Sequence, residues 1–138
     1  MTYLVDTNVL SELRKGPRAD RGVRCWFAEV EGDGLFLSVM TVGELWKGID
    51  RLRRRDPRGA DALETWLDRV LAEYGDRVLP ISGAVARQWA RLNVPDPLPV
   101  VDGLIAATAL VQDLTIVSRN LKDMERSGAR CLNPFEHG

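Results

Sequence analysis

The stretch YLVDTNVLSELRK, residues 3–15, joins two kinds of hydrophobic pattern around one acid. Its first three residues form a short apolar run typical of a buried strand, and the residues after Asp6 repeat apolar side chains at helical spacing. We therefore predict a strand over 3–6 and a helix over 7–15, which the following Gly-Pro pair ends. A carboxylate at the point where an apolar strand reaches the surface is either a helix cap or part of a site.

The rest of the chain alternates strands and helices in the same way. Further strands are predicted at 35–38, 78–81, 114–118 and 130–133. Helices are predicted near 20–31, 40–54, 60–74, 83–92 and 101–112, with a turn at 56–59, a proline-rich loop at 94–99 and a short helix after 118. The apolar stripe of the second helix comprises Val23, Trp26, Phe27 and Val30. Because the strand runs lack clean polar alternation, we expect them to be covered on both faces, in an α/β sandwich around a mostly parallel sheet.

The composition is typical of one globular domain. A chain of 138 residues favours a single domain, 1–138, and 45% hydrophobic with 28% charged residues argues against disorder. No apolar run approaches the roughly 20 residues of a membrane span, and Asp6 comes too early for the core of a signal peptide. We therefore expect no membrane association and a cytoplasmic location. Cys25 and Cys131 are expected to be reduced and structural. The net charge of −1 argues against passive coating of DNA, although it leaves a local basic surface open.

Four acids lie where predicted strands end or predicted helices begin. Asp6 ends the first strand, Glu44 lies in the first turns of the third helix, Asp102 opens a nearly all-apolar helix, and Asp123 follows the fourth strand. Ligands of parallel α/β sheets bind outside the carboxyl ends of the strands, so these acids are expected to converge. Two carboxylates about 4 Å apart repel by on the order of 4 kcal/mol at an effective dielectric near 20, so a cluster must take up protons or bind cations. Oxygen ligands without histidine or cysteine select Mg²⁺ or Mn²⁺, which serve phosphoryl chemistry.

Each acid also has a purely structural interpretation. Asp6 and Asp102 are both suited to capping the helix that follows. Glu44 lies off the apolar stripe of its helix, which is typical of solvent exposure, and Asp123 sits among charged residues. Taken singly, the four acids leave both interpretations open, and only their joint placement favours a site.

Four blocks of the sequence carry a family resemblance: LVDTNVLSEL (4–13), SVMTVGELWKGI (38–49), VVDGLIAATAL (100–110) and IVSRNLKDME (116–125). In this order they cover nearly the whole chain and resemble the PIN-domain family, in particular the VapC toxins of bacterial type II toxin–antitoxin pairs. The resemblance implies a PIN-like three-layer α/β/α sandwich and a Mg²⁺- or Mn²⁺-dependent endoribonuclease, with structured RNA such as tRNA as substrate. It also implies a homodimer, a cognate VapB-like antitoxin that blocks the acidic site, and a higher hetero-oligomer of the two proteins.

The resemblance also assigns roles by position. Asp6, Glu44 and Asp102 match the three core acids, and Asp6 and Asp102 are the expected direct metal ligands. The fourth family acid often follows a Ser/Thr-Arg pair, where this chain has Asn120, so Asp123, three residues later, is the alternative fourth ligand. The polar residues expected to hold the carboxylates or a water are Thr7, Asn8, Ser118 and Asn120.

An arginine-rich run, RLRRR at 51–55, ends the third predicted helix. It is either a solvated helix end, where the macrodipole favours cations, or a contact for RNA phosphate or the antitoxin tail. Arg14 and Lys15 are the better candidates for RNA contact, because their helix starts at the first acid. Trp46 and Trp66 can stack bases, but their apolar stripes favour the core or a dimer interface.

Two alternatives to a nuclease follow from the same residues. Asn120 in place of a fourth acid is consistent with a catalytically weak or inactive PIN module that binds RNA or a regulatory partner. A phosphate-handling enzyme of another kind fits less well. A haloacid-type phosphatase requires a second aspartate where position 8 is Asn, and the chain has no G-x-x-x-x-G-K-S/T loop.

Overall fold

The computed structural model describes residues 1–138 and contains five strands and seven α-helices. The strands are β1 (Tyr3–Val5), β2 (Leu35–Ser38), β3 (Val78–Leu79), β4 (Thr115–Val117) and β5 (Cys131–Leu132). The helices are α1 (Thr7–Leu13), α2 (Arg21–Glu29), α3 (Val39–Arg53), α4 (Pro57–Tyr74), α5 (Gly83–Leu92), α6 (Val100–Gln112) and α7 (Lys122–Arg126). No helix combines the length and the apolar character that a membrane span needs.

The five strands form one parallel sheet in the order β3-β2-β1-β4-β5. In the central strand, Leu4 lies opposite Phe36 of β2 on one side and Ile116 of β4 on the other. The chain first forms β1, β2 and β3 side by side, and it then adds β4 and β5 on the other side of β1. The order therefore reverses beside β1, and the carboxyl ends of β1 and β4 flank a topological switch point, where open α/β sheets bind ligands.

Helices cover both faces of the sheet, and neighbouring residues of each strand enter different cores. On β1, Val5 belongs to one core and Leu4 to the other, and Val117 and Ile116 divide in the same way on β4. The first core contains residues of α1 to α4, and the second contains residues of α6 and α7. The prediction of a three-layer α/β/α sandwich is confirmed, and the two-sided burial explains why the strands are apolar throughout.

Two local predictions are wrong. The segment 56–59 is not a turn but the start of α4: the Asp56 carboxylate accepts the Gly59 N–H at 3.0 Å, and Pro57 occupies the first helical position, where its missing N–H costs nothing. Phe27, predicted on the buried stripe of α2, is 44% exposed. Phe27 lines a groove that α1, α2 and α4 surround.

Gly22 of α2 is the position where a side chain is least tolerated. A Cβ there would lie 2.6 Å from the carbonyl oxygen of Pro134 and 2.9 Å from that of His137, both rigid backbone atoms of the C-terminal segment. We expect Gly22→Ala to lower the free energy of unfolding by about 1–3 kcal/mol and the Tm by about 3–10 °C in calorimetry. Gly48→Ala is the control, because a Cβ at this exposed position of α3 meets no atom within 4 Å; it should stabilise by about 0.5–1 kcal/mol. Equal Tm changes in the two variants would contradict the close packing.

Candidate active site

Asp6 is fixed at the carboxyl end of β1 by three hydrogen-bond donors. Its Oδ1 accepts the Thr7 N–H at 2.8 Å, while its Oδ2 accepts the Ser118 hydroxyl at 2.7 Å and the Asn8 amide at 3.4 Å. Asp6 is 6% exposed and has no ion-pair partner in the chain. The capping interpretation is correct for one oxygen, and the other oxygen faces the loop after β4. The carboxylate is therefore oriented by the protein although no cation compensates its burial.

Polar groups after β4 hold this arrangement together. The Asn8 amide donates to Ser118 Oγ at 3.2 Å, and Asn8 Oδ1 accepts the Arg119 N–H at 3.0 Å. Ser118 Oγ also accepts the Asn120 N–H at 3.1 Å, and Ser118 is fully buried. Asn8 and Ser118 thus lie where the resemblance placed them, whereas Asn120 contributes its backbone and not its side chain.

Glu44 joins the site through Thr7. The Thr7 hydroxyl donates to Glu44 Oε1 at 2.7 Å, across 37 residues of sequence. The contact exists because α1 and α3 begin at the carboxyl ends of the neighbouring strands β1 and β2. Glu44 is exposed, as its position off the apolar stripe predicted, and its carboxylate still contacts the residue that follows Asp6.

Asp102 lies in the first turn of α6, and its capping interpretation is wrong. Pro99 occupies the N-cap, and no side chain caps this helix. Partial burial raises the pKa of the Asp102 carboxyl, and the negative charges of Asp6, Asp123 and Glu44 raise it further, in that order. The charges of the other three predicted acids therefore reach Asp102, although the four acids come from four different segments of the chain.

The acids form an open cluster. No three acidic, histidine or cysteine side chains approach closely enough to hold a metal ion in common. The only ion pair to any of the four acids joins Asp123 to Arg126 at 3.8 Å. Although the side chains stand apart, their donors are all oxygen, the type that Mg²⁺ and Mn²⁺ prefer, and the cluster carries excess negative charge.

The sequence and the fold both match known proteins of one family. Residues 3–127 match the sequence profile of the PIN domain. The chain belongs to the PIN-domain family. A VapC ribonuclease of Sinorhizobium fredii, Y4jK, is 32% identical over 140 residues, which cover 96% of this chain and 97% of that protein. The toxin FitB of Neisseria gonorrhoeae is 28% identical, over 96% of this chain and 97% of FitB.

Solved structures give the same result for this PIN domain. The crystal structure of FitAcB from Neisseria gonorrhoeae has a TM-score of 0.89 at 28% identity, over 98% of this chain and 99% of that chain. VapBC2 of Rickettsia felis, bound to a DNA fragment, has a TM-score of 0.73 at 17% identity, over 96% of this chain and 98% of that chain, and supports the fold alone. The family resemblance stated from the four sequence blocks is confirmed.

The two basic residues predicted to contact RNA have other partners within the PIN domain. Lys15 pairs with Glu12 at 3.0 Å, and the Arg14 guanidinium lies 5.9 Å from the centre of the Trp66 ring. Their contact with RNA stays a prediction. Sequence reasoning missed Arg119, an exposed cation that directly follows Ser118 and stacks on Phe135 at 4.5 Å. Arg119 lies between Ser118 and Asn120, both predicted from the sequence as site residues, and this position could have indicated it.

The raised pKa of Asp102 makes a pH-dependent contribution to the stability of the metal-free PIN domain. A carboxyl whose folded-state pKa is raised favours folding below its unfolded pKa of about 3.9, and this contribution is lost as pH rises through the folded pKa. Asp102→Asn should therefore raise the Tm at pH 7 in EDTA by about 2–4 °C, an effect limited by solvent screening of this part-exposed group. The gain should vanish below about pH 3, where the aspartic acid is neutral in both states.

Thermal melts of the Asp102→Asn and wild-type proteins across this pH range measure the effect. Asp33→Asn is the control, because Asp33 is an exposed acid in the turn before β2, away from the cluster. A Tm gain of equal size at both ends of the range would contradict the electrostatic origin.

Proposed function

We propose that this PIN domain is the RNA-cleaving toxin of a VapC-type toxin–antitoxin pair, acting in the cytoplasm, and that its cleavage depends on Mg²⁺ or Mn²⁺. The observation that carries the proposal is the convergence of acids at the switch point of the sheet: Thr7, which follows Asp6, hydrogen-bonds Glu44, and burial together with the charges of Asp6, Asp123 and Glu44 raises the pKa of Asp102. No basic side chain pairs with Asp6, Glu44 or Asp102. The names of the relatives, a VapC ribonuclease and a toxin, agree with this chemistry.

Asp6 and Asp102 are the residues that would hold the metal ion, with Glu44 and Asp123 completing the charge around it. When bound, a divalent ion orients the scissile phosphate, activates a water and neutralises charge that develops during in-line displacement. The chain contributes orientation: Ser118 and Asn8 fix Oδ2 of Asp6, and Thr7 fixes the Glu44 carboxylate. Such partners keep ligand oxygens in place before the substrate arrives.

We propose Asp123 as the fourth acid of the site. Its charge contributes to the raised pKa of Asp102, so it lies within electrostatic range of that acid. Asn120 instead uses its N–H to contact Ser118 Oγ and is exposed. In this proposal the fourth acid lies three residues later than in the family pattern, at position 123 in the first turn of α7 and not at position 120 in the loop.

The proposed partners are a VapB-like antitoxin, a second copy of this chain, and structured RNA such as tRNA. The structure of FitAB bound to a DNA fragment is similar to this chain at 25% identity and a TM-score of 0.88, and FitB is a toxin. By analogy, we expect a homodimer that forms a higher hetero-oligomer with the antitoxin, whose tail covers the acidic cluster. An acidic site of this kind is blocked well by a basic side chain.

Cleavage assays with the protein freed of antitoxin test the proposed function. Incubation with tRNA and with RNA of mixed sequence should give discrete fragments in Mg²⁺ or Mn²⁺. EDTA should stop the reaction, and excess metal should restore it. Fragments that persist in EDTA would point to another site or a contaminant. Intact RNA in both metals would favour the second candidate, an inactive RNA-binding or regulatory module, which the asparagine at position 120 makes worth testing.

A further inference from the structure

A basic depression lies on the surface of α3, between Glu44 and the C-terminal end of the helix. It has a volume of ≈ 700 Å³ and is open to solvent, and we name it the α3 depression. The residues that line it are Gly43, Trp46, Lys47, Asp50, Arg51, Arg53 and Arg54. Neither the acidic cluster nor the two cores uses these charged side chains.

The α3 depression carries an excess of positive charge that the chain does not neutralise. Lys47, Arg51 and Arg54 have no ion-pair partner, and Asp50 is the one carboxylate among the lining residues. Arg53, the fourth cation of the lining, is different because it pairs with Asp61 at 2.5 Å and with Glu64 at 3.0 Å. On a chain with a net charge of −1, three free cations on one helix flank form a local site for a polyanion.

Helical geometry connects the α3 depression to the acidic cluster. Lys47, Arg51 and Arg54 follow Glu44 by 3, 7 and 10 residues. At 1.5 Å per residue they lie about 4.5, 10.5 and 15 Å along the axis from Glu44, within about 80° of its direction around the helix. A chain of phosphates held at the acids can therefore continue along α3 over all three cations.

Trp46 gives the α3 depression a surface for a base. Its indole is half-buried and is the only apolar lining residue. Proteins that bind single strands combine aromatic stacking surfaces with cations that follow the phosphate backbone. An acidic peptide would find the cations but almost no apolar surface on which to anchor side chains.

We propose that the α3 depression binds the single-stranded RNA flank next to the cleavage site, with phosphates on Lys47, Arg51 and Arg54 and a base on Trp46. This inference rests on the proposed function and deepens it, because it names single-stranded RNA beyond the scissile bond as part of what the enzyme recognises. Arginine forks suit phosphate oxygens, and such contacts are sequence-independent.

Binding of RNA to an uncleaving protein tests the inference directly. In an Asp6→Asn background without antitoxin, the anisotropy of a labelled single-stranded RNA of mixed sequence is measured across a salt series. Arg51→Gln/Arg54→Gln should weaken binding about tenfold and reduce the slope of log K against log salt by about 1.4, or about 0.7 per phosphate contact. The double variant should stay folded, since it removes like charges at helical spacing and no ion pair.

Arg87→Gln/Arg91→Gln is the matched control. These two arginines are exposed on α5, have no ion-pair partner and change the net charge by the same amount. We expect this control to change RNA affinity less than twofold. Equal losses in both double variants, or no loss in Arg51→Gln/Arg54→Gln, would overturn the inference. Lost antitoxin binding with unchanged RNA binding would also overturn it, in favour of a peptide occupant.

Cleavage kinetics in the Asp6-containing protein separate this inference from the proposed function. Arg51→Gln/Arg54→Gln should raise KM for long RNA about tenfold, leave kcat unchanged and leave cleavage of a dinucleotide unchanged, because a dinucleotide at the acids is too short to reach Arg51 and Arg54. Wild-type cleavage with no KM effect in the variant would reject the inference alone. Failure of the wild-type protein to cleave any RNA would reject the proposed function, while the anisotropy measurement still decides whether α3 binds RNA.

Discussion

Asp6→Asn should lower kcat/KM for RNA cleavage by about 10²–10³-fold, which corresponds to about 2.7–4 kcal/mol of lost transition-state stabilisation. Asp6 is the most buried of the four acids, and the protein orients both of its oxygens. Asparagine has the same shape but no charge, so it removes a metal ligand while its Oδ1 can still accept the Thr7 N–H as a helix cap. The expected result is therefore a folded protein with almost no activity.

Thermal denaturation provides a second measurement for Asp6→Asn. Mg²⁺ should raise the Tm of the wild-type protein, since a ligand that binds only the folded state stabilises it by mass action. The variant should melt near the wild-type temperature in EDTA and lose this response. Asp76→Asn, in the exposed turn before β3, is the control and should behave as wild type. A variant that cleaves RNA at the wild-type rate, or that keeps its Mg²⁺ response, would exclude Asp6 as a ligand.

Asp123→Asn should lower kcat/KM by about 10–100-fold, the loss typical of removing one supporting ligand or partner at a metal site. The reason is positional: α7 brings Asp123 into electrostatic range of Asp102, and Arg126 at 3.8 Å from its carboxylate orients it. Asn120→Ala should change kcat/KM less than twofold, because only the backbone of Asn120 enters the network around Ser118. Initial rates on one labelled RNA compare the two variants.

A rescue experiment distinguishes the two candidates for the fourth acid. Asn120→Asp supplies a carboxylate at the position that follows the Ser-Arg pair, and in an Asp123→Asn background it should restore part of the activity if that position reaches the metal. A larger loss in Asn120→Ala than in Asp123→Asn would assign the fourth role to Asn120 and contradict our proposal.

Where the local sequence marks both ends of an element, the bounds of that element could be predicted to the residue. The strand over 35–38 and the helix over 83–92 agree with the structure at both ends, and serines that cap the following helices, Ser38 and Ser82, mark where the chain turns helical. The run Asp-Pro-Arg-Gly at 56–59 shows the limit of such signals. An aspartate before a proline is typical both of a turn and of a helix N-terminus, and the two differ only in what the following residues pack against.

The sequence by itself determined the alternation of strands and helices and the four blocks of the PIN-domain family, because apolar periodicity and short motifs are local properties. It also placed each acid at an element boundary. Only the tertiary structure decided which boundaries meet. Asp6 and Ser118 are 112 residues apart and form a hydrogen bond because β1 and β4 are neighbours in the sheet. The two strands are neighbours because Leu4 and Ile116 are buried in one core and Val5 and Val117 in the other. Both cores are built from residues far apart in the sequence, so no local pattern reveals this pairing.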